Sequence, residues 1–170
     1  MFLAVLGCLE ARRIRDLVDG EVTVVDRVFA GLSQRSRYLR YHSGMARLTS
    51  VQRKALASVD GRLRVVLVAE RCGPDGWAPE GLGRFVALGP DRAELALEVV
   101  DSAQRRGVGA ALLRALTSRA AGLGYASFEA SVLSTNRPVL ELMRKTFGAA
   151  NVRYEGPVLH LELSTVDASG

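Results

Sequence analysis

The sequence predicts one mixed α/β domain whose central sheet is mostly antiparallel and flanked by helices, and three observations carry that reading. The chain has 170 residues, the length of a single domain with a sizeable core. Apolar residues make up 48% and charged residues 24%, the balance of a folded globular chain rather than a disordered one. Short β-branched runs and helical apolar spacings follow each other in the order strand, helices, three strands, helix, strand, helix, strands. Strands joined by turns make antiparallel hairpins, and the strand, long helix, strand unit makes one parallel crossover.

The elements follow from local signals. Residues 12–17 read as a short strand, broken by Asp19 and Gly20. Val22, Val25, Phe29 and Leu32 recur at helical spacing, and Gly31 and Ser33 end that helix. Residues 36–41 read as a short basic helix closed by Ser43 and Gly44, and Thr49 or Ser50 caps a third helix to about residue 58. After a turn at Asp60 and Gly61, residues 64–70 are a β-branched strand. Residues 73–81 hold Gly73, Pro74, Gly76 and Pro79 and are expected to form an exposed loop. Residues 82–88 and 93–100 are strands around a turn at Gly89, Pro90 and Asp91. A long helix spans about 107–121, with Leu112, Leu113 and Leu116 on one face and Gly122 and Gly124 as its stop. Residues 125–133 are a strand, Asn136 opens a helix to about residue 146, and strand pieces follow at 152–154 and 158–163. Residues 1–11 are expected to be an N-terminal extension, 12–164 the domain and 165–170 a flexible tail.

The net charge is +5 and the pI about 9.8, and the base is nearly all arginine, 21 Arg against Lys54 and Lys145. Guanidinium forks suit phosphate and carboxylate partners, so nucleic acid, a membrane surface and an anionic cofactor are the classes to separate. From residue 27 to 59 there is no acid but there are seven bases, Arg27, Arg35, Arg37, Arg40, Arg47, Arg53 and Lys54. Aromatic content is 6% and no nucleic-acid module is recognised, so no nucleic-acid partner is expected. No apolar stretch approaches the ~18 residues of a membrane span. The start, a short apolar run before Cys8 without a basic leader, does not read as a signal peptide. Cys8, Cys72, His42 and His160 have no metal-ligand spacing, so no metal is expected. Together these point to a reducing, cytoplasmic setting. The oligomeric state is not readable.

One stretch carries chemistry. A strand ends at Val99 and Val100, a turn follows, and a helix opens on Gly107, Val108, Gly109 and Ala110, with Gln104, Arg105 and Arg106 just ahead. Glycines let a backbone approach a bulky anion, and the free amides and dipole of a helix start favour negative charge. That is a pyrophosphate cradle, although two glycines easing a strand-to-helix turn would look the same. The third glycine and distant acid of a dinucleotide loop are missing, and so is the Gly-Lys-Ser/Thr of a Walker loop.

The spacing of Gln104, Gly107 and Gly109 resembles the Gln/Arg-x-x-Gly-x-Gly/Ala pyrophosphate loop of the GNAT acyl-CoA N-acyltransferases. Residues 95–100 resemble the strand before that loop. Residues 134–140 resemble the family's strand-to-helix segment, whose asparagine, here Asn136, lies beside the pantetheine arm, and residues 144–149 resemble its closing helix and turn. More narrowly, residues 32–41 resemble the Leu-Ser-x-x-Ser-Arg-Tyr-x-Arg segment of the Pat-type protein lysine acetyltransferases. Residues 93–96 resemble their Ala-Glu-x-Ala segment, whose glutamate, here Glu94, is the base proposed for that subfamily. The resemblance covers nearly the whole chain. It implies a stand-alone catalytic domain with acetyl-CoA as co-substrate and direct transfer to an amine, foremost a protein lysine. The cofactor-binding residues it implies are Gln104, Arg105, Arg106, Gly107, Val108, Gly109, Ala110 and Asn136, with backbone amides of Val99 and Val100 for the thioester carbonyl.

Acyl transfer needs a neutral amine, and a carboxylate can take the ammonium proton. Glu94 and Glu98 share one face of a strand about 13 Å apart; the resemblance favours Glu94 as base, and Glu98 reads as an ion-pairing or orienting residue. His42 has a suitable pKa for a base, but a lone histidine is more often structural. Asn136 can also simply cap its helix. Met143 stands where many relatives carry a tyrosine that protonates the thiolate, and Arg105 where glycine is frequent. These departures keep a weakly catalytic acyl-CoA-binding regulatory module open, beside a small-molecule amine as the other acceptor. The segment 27–59 is read as the acceptor side, where its bases favour an acidic-surfaced protein over a polyamine unless they are spent on internal ion pairs. Tyr38, Tyr41 and Trp77 are candidates to line that groove.

Overall fold

The computed structural model describes residues 11–166. The chain enters along β1 (Arg12–Asp16) and then winds through α1 (Val22–Ala30), α2 (Gln34–Tyr41) and α3 (Ser50–Ala57). In α1 the apolar spacing buries Val24, Val25, Val28 and Phe29. Helix α2 buries no residue, so its caps define it: the Ser33 hydroxyl accepts from the Ser36 amide at 3.2 Å. Helix α3 starts on a capping box in which Thr49 and Gln52 satisfy each other's amides at 3.2 and 2.8 Å. A cap of this kind stabilises a helix by about 1 kcal/mol.

Strands β2 (Arg64–Gly73), β3 (Gly76–Ala87) and β4 (Arg92–Val99) then form an antiparallel meander, with β1 pairing antiparallel on the outer side of β2. Helix α4 (Val108–Gly122) crosses over to β5 (Ser127–Leu133), which pairs parallel with β4. Helix α5 (Arg137–Phe147) and the hairpin β6 (Asn151–Glu155) and β7 (Val158–Ser164) complete the chain. The seven strands form one sheet in the order β1-β2-β3-β4-β5-β7-β6. Leu112, Leu113 and Leu116 of α4 are fully buried against it. They lie close because β3 offers glycines there: a Cβ on Gly81 would come within 2.9 Å of the Glu98 carbonyl oxygen, and one on Gly83 within 2.7 Å of Leu116. Phe85 packs on Tyr125 and Phe128 at ring distances of 5.4 and 5.7 Å, tying the two halves of the sheet together.

Helix α1 packs on β3 and on α3, and β2 is buried from Val65 to Glu70, so the first half of the sheet is covered on both faces. The half made by β5, β7 and β6 keeps one face open, with Glu129, Ser131, His160 and Glu162 on it.

Three expectations change. Residues 73–81 are not a loop: β2 and β3 pair down to Gly73 and Gly76, with only Pro74 and Asp75 in the turn. Pro79 is tolerated because the register shifts beside it, a bulge that leaves Glu80 unmatched. The chain also stays packed beyond Ser164: Thr165 is fully buried, and its hydroxyl donates to the Tyr125 carbonyl at 2.7 Å. Cys72 is buried and is not a free thiol, so it gives the reducing-compartment reading no support. The signal-like start and Cys8 lie outside the described residues. Much of the arginine is spent on the β1 side, where Arg13 and Arg15 hold buried Glu70 at 2.7 and 3.0 Å, and Arg12 and Arg71 hold buried Glu80 at 2.9 Å each.

Candidate functional site

Strands β4 and β5 pair over only three residues, Arg92 with Ser127, Ala93 with Phe128 and Glu94 with Glu129. Beyond Glu94 each strand follows its other neighbour, β4 beside β3 to Val99 and β5 beside β7 to Leu133, so the two part. A cleft of about 450 Å³ opens in the fork. Ala96 and Val99 line it from β4, and Ala130 and Val132 from β5. Helix α2 forms one wall, α5 the other, and the start of α4 closes one end. Along the fork the facing backbone edges of the two strands are not paired with each other.

The α4 end is built for an anion. Gly107 is the N-cap residue, at φ 81, and no side chain caps the helix. Ala111 is bonded back to the Gly107 carbonyl at 3.0 Å, which leaves the preceding amides of Val108, Gly109 and Ala110 without a helical partner. Arg105 holds the same left-handed backbone at φ 58 and lines the cleft. The Gln104 side chain shapes the loop, donating to the Val99 carbonyl at 3.1 Å, to Asp101 at 3.2 Å and to the Ser36 hydroxyl of α2 at 3.3 Å. Burial of the Asp101 carboxyl works against its ionisation, but hydrogen bonds from Ser33 and Ser36 outweigh it and hold its pKa below the ordinary 3.8.

On the α5 wall Asn136 is buried at the N-cap position, yet its side chain makes no cap hydrogen bond and lines the cleft. Met143 is buried in the same wall and offers no proton. Of the residues expected around the cofactor, Val99, Gln104, Arg105, Gly107, Gly109, Ala110 and Asn136 come together in this cleft. Three do not line it. Val100 turns its side chain against Gly31 and spends its amide on the Glu80 carbonyl at 2.9 Å. Val108 points its side chain into the core, and Arg106 is exposed outside the lining.

A second cleft of about 520 Å³ lies on the open face of the sheet, and Ala130 lines both. Glu94 is exposed in this groove, with no hydrogen bond or ion pair among the described residues. Glu129 and Glu162 stand beside it in register across β5 and β7. Glu98, four residues on, is buried: it accepts from the Tyr41 hydroxyl at 2.7 Å and pairs with buried Arg84 at 3.2 Å. Burial and the Glu98 charge push the Tyr41 hydroxyl far above its usual pKa. Burial lowers that of Arg84.

The basic segment is only partly free. Arg53 pairs with Asp26, and Arg37 lies 4.3 Å over the Phe29 ring and donates to the Ala46 carbonyl. Arg40 stands beside Glu98, and Arg35 lines the fork. Arg27, Arg47 and Lys54 remain exposed. Neither Tyr38, Tyr41 nor Trp77 lines either cleft, and Trp77 sits on the β2–β3 hairpin under Arg13 at 4.1 Å. His42 caps α2 in a left-handed conformation at φ 55, its pKa lowered by burial, by Arg40 and by His160. Sequence reasoning missed Arg35 and Arg40 as cleft residues; the matched segment that contains them was the available signal.

The model of the acetyltransferase (GNAT) family matches residues 67–149. No curated protein matches by sequence. Among solved structures, the GNAT domain of S. lividans PAT superposes with a TM-score of 0.79 at 24% identity, over 90% of each chain. A cAMP-binding acyltransferase from Mycobacterium smegmatis matches at 26% identity with a TM-score of 0.61; 91% of this chain is covered, but only 43% of that one. The yncA protein of Salmonella typhimurium, solved with its cofactor acetyl-CoA, matches at 16% identity and a TM-score of 0.66, over 94% of this chain and 97% of that one. The fold is the GNAT fold: mixed α/β, with a seven-stranded, mostly antiparallel sheet.

Proposed function

We propose, from the premise that residues 67–149 carry a domain of the acetyltransferase (GNAT) family, that the protein moves an acetyl group from acetyl-CoA to an amine, foremost a protein lysine side chain. The observation that carries this is the fork: an uncapped helix start at one end, unpaired strand edges along it, and a groove with a free carboxylate at the other. These parts fit the cofactor's chemistry. Amides of Val108, Gly109 and Ala110 receive the pyrophosphate, with Arg105 beside them, and Gln104 fixes the loop. The Asn136 amide is free for the amides of the pantetheine arm. When bound, acetyl-CoA supplies the activated acyl group. Glu94 takes the proton of the incoming ammonium, directly or through water, in a direct ternary transfer. A cytoplasmic location belongs to this reading, and no helix among the described residues is long and apolar enough to cross a membrane.

The carboxylates Glu94 and Glu162, in register on either side of Glu129, which Arg92 pairs at 2.7 Å, favour a cationic acceptor, which also suits a small polyamine as a second reading. With Arg37 and Arg53 engaged internally, the basic segment no longer argues strongly against it. Thiol release from acetyl-CoA, measured over candidate proteins and small amines and followed by mass spectrometry of modified lysines, separates the two. Acetyl-CoA binding with no thiol release for any acceptor in either panel would sink the transferase reading in favour of a binding module.

A further inference from the structure

Helix α2 runs the length of the fork. At its first turn Ser36 is bonded to Gln104, beside the anion-binding start of α4. Just past its last turn His42 is within electrostatic reach of His160, which lines the open groove. Arg40 lies between, one helical turn or about 6 Å beyond Ser36, against Glu98 on β4 and in the lining of the fork.

Its surroundings answer its charge only through a long contact with Glu98. The Arg40 Nε is buried without a hydrogen bond, and its nearest carboxylate oxygen, on Glu98, stands at 3.8 Å. That oxygen already accepts from Tyr41 at 2.7 Å, and the other carboxylate oxygen is held by Arg84 at 3.2 Å. The Arg40 guanidinium otherwise lies 4.8 Å over the Tyr41 ring. Two guanidinium groups thus share one carboxylate, and no donor of Arg40 is used among the described residues. A buried donor without a partner is costly, and such groups recur where a ligand completes the bond. Ala96 and Glu98 line the same fork as Arg40, and the fork and the groove share Ala130.

We propose that Arg40 is a catalytic residue, donating to the acyl carbonyl oxygen and stabilising the negative charge that develops on it; this rests on the acetyltransferase reading above. In that step the amine nitrogen bonds to the carbonyl carbon and the C=O electron pair moves onto oxygen. It returns as the carbon–sulfur bond breaks. The amine proton goes to Glu94, and the thiolate takes a proton from water. Arg84 and Tyr41 hold Glu98 in place, so that Glu98 fixes Arg40 without quenching it.

The test uses the full chain and the variants R40Q and R40K. Three readouts are taken: turnover, CoA affinity by calorimetry, and the carbonyl stretch of bound acetyl-CoA carrying carbon-13 at the carbonyl. The expected result for R40Q is turnover down about a hundredfold, CoA affinity within threefold of wild type, and loss of the carbonyl shift. R40K restores part of the shift and of the turnover. Unchanged turnover and carbonyl shift in folded R40Q overturn the proposal. A tenfold loss of CoA affinity with unchanged turnover also overturns it, making Arg40 a phosphate ligand. A wild-type preference for a carboxylated acyl-CoA that R40Q abolishes overturns it as well, since the partner would then be the acyl carboxylate. Failure of the wild type to bind acetyl-CoA overturns the acetyltransferase reading itself, and this role with it.

Discussion

Glu94 and Glu98 stand on the same face of β4, four residues apart, and the fold treats them in opposite ways. Glu94 lies where β4 still pairs with β5, exposed in the open groove and without a partner among the described residues. Glu98 lies where the strands have parted, buried under α2 with Tyr41, Arg84 and Arg40 around it. A carboxylate placed to take a proton from a substrate must be reachable and not already saturated. One that holds a wall in place must be the reverse. The difference teaches that residue type and strand periodicity cannot separate a base from a brace; the element packed over the strand does that.

The largest effect that tests this contrast is at Glu98. Replacing Glu98 with Ala leaves the buried Arg84 guanidinium without its carboxylate, and breaking a buried pair from one side costs about 3–5 kcal/mol. For a domain of this size that is a fall in Tm of roughly 10 °C. A thermal melt of Glu98→Ala within about 2 °C of wild type would mean that Glu98 braces nothing. The complementary change, Glu94→Gln, is expected to leave the melt and the acetyl-CoA affinity unchanged while lowering turnover by about a hundredfold. Wild-type turnover of Glu94→Gln across the pH range removes it as the base and breaks the comparison at its other end.

Next in size is Gly107. Its φ of 81 is a conformation that costs a residue with a Cβ about 1–2 kcal/mol, although no atom lies within 4 Å of where that Cβ would sit. Gly107→Ala should therefore lose about 1 kcal/mol of stability and weaken CoA binding, with the acceptor KM unmoved. Calorimetry with CoA alone reads the binding half of that expectation. Undiminished affinity in a variant with the expected stability loss argues that the loop amides are not the anion site.

The order of elements, the single parallel crossover and the glycine-opened α4 were all legible, because they rest on local signals: β-branched runs, caps and stops. What was not legible depended on partners distant in sequence. Residues 73–81 carry two prolines' worth of loop signal, but pairing of β2 with β3 and a bulge at Glu80 override it. The seven bases of residues 27–59 looked like one surface. They divide only because α2 sits on β4, which turns Arg40 toward Glu98 and Arg35 into the fork. Val100 is implied as a cofactor contact by the family resemblance, yet its amide is taken by the Glu80 carbonyl across the sheet.

Asp101 offers the finest discrimination, because it separates partnership from burial: it is exposed like Glu94 but hydrogen-bonded like Glu98. It accepts from the Ser33 amide and from Gln104, both at 3.2 Å, and so ties α2 to the loop ahead of α4. Its folded pKa is depressed below the ordinary 3.8, the opposing effect of burial being outweighed by the donors at Ser33 and Ser36. A depressed carboxylate contributes stability that is fully present above the unfolded value and is lost as pH falls through the folded one. Asp101→Asn should thus be slightly less stable than wild type at neutral pH, and the gap should close below about pH 4. Chemical denaturation of both proteins at pH 7 and pH 3 measures it. A gap that stays constant with pH would mean that the ionised form is not what these donors hold, and that exposure alone decides how a carboxylate in this site behaves.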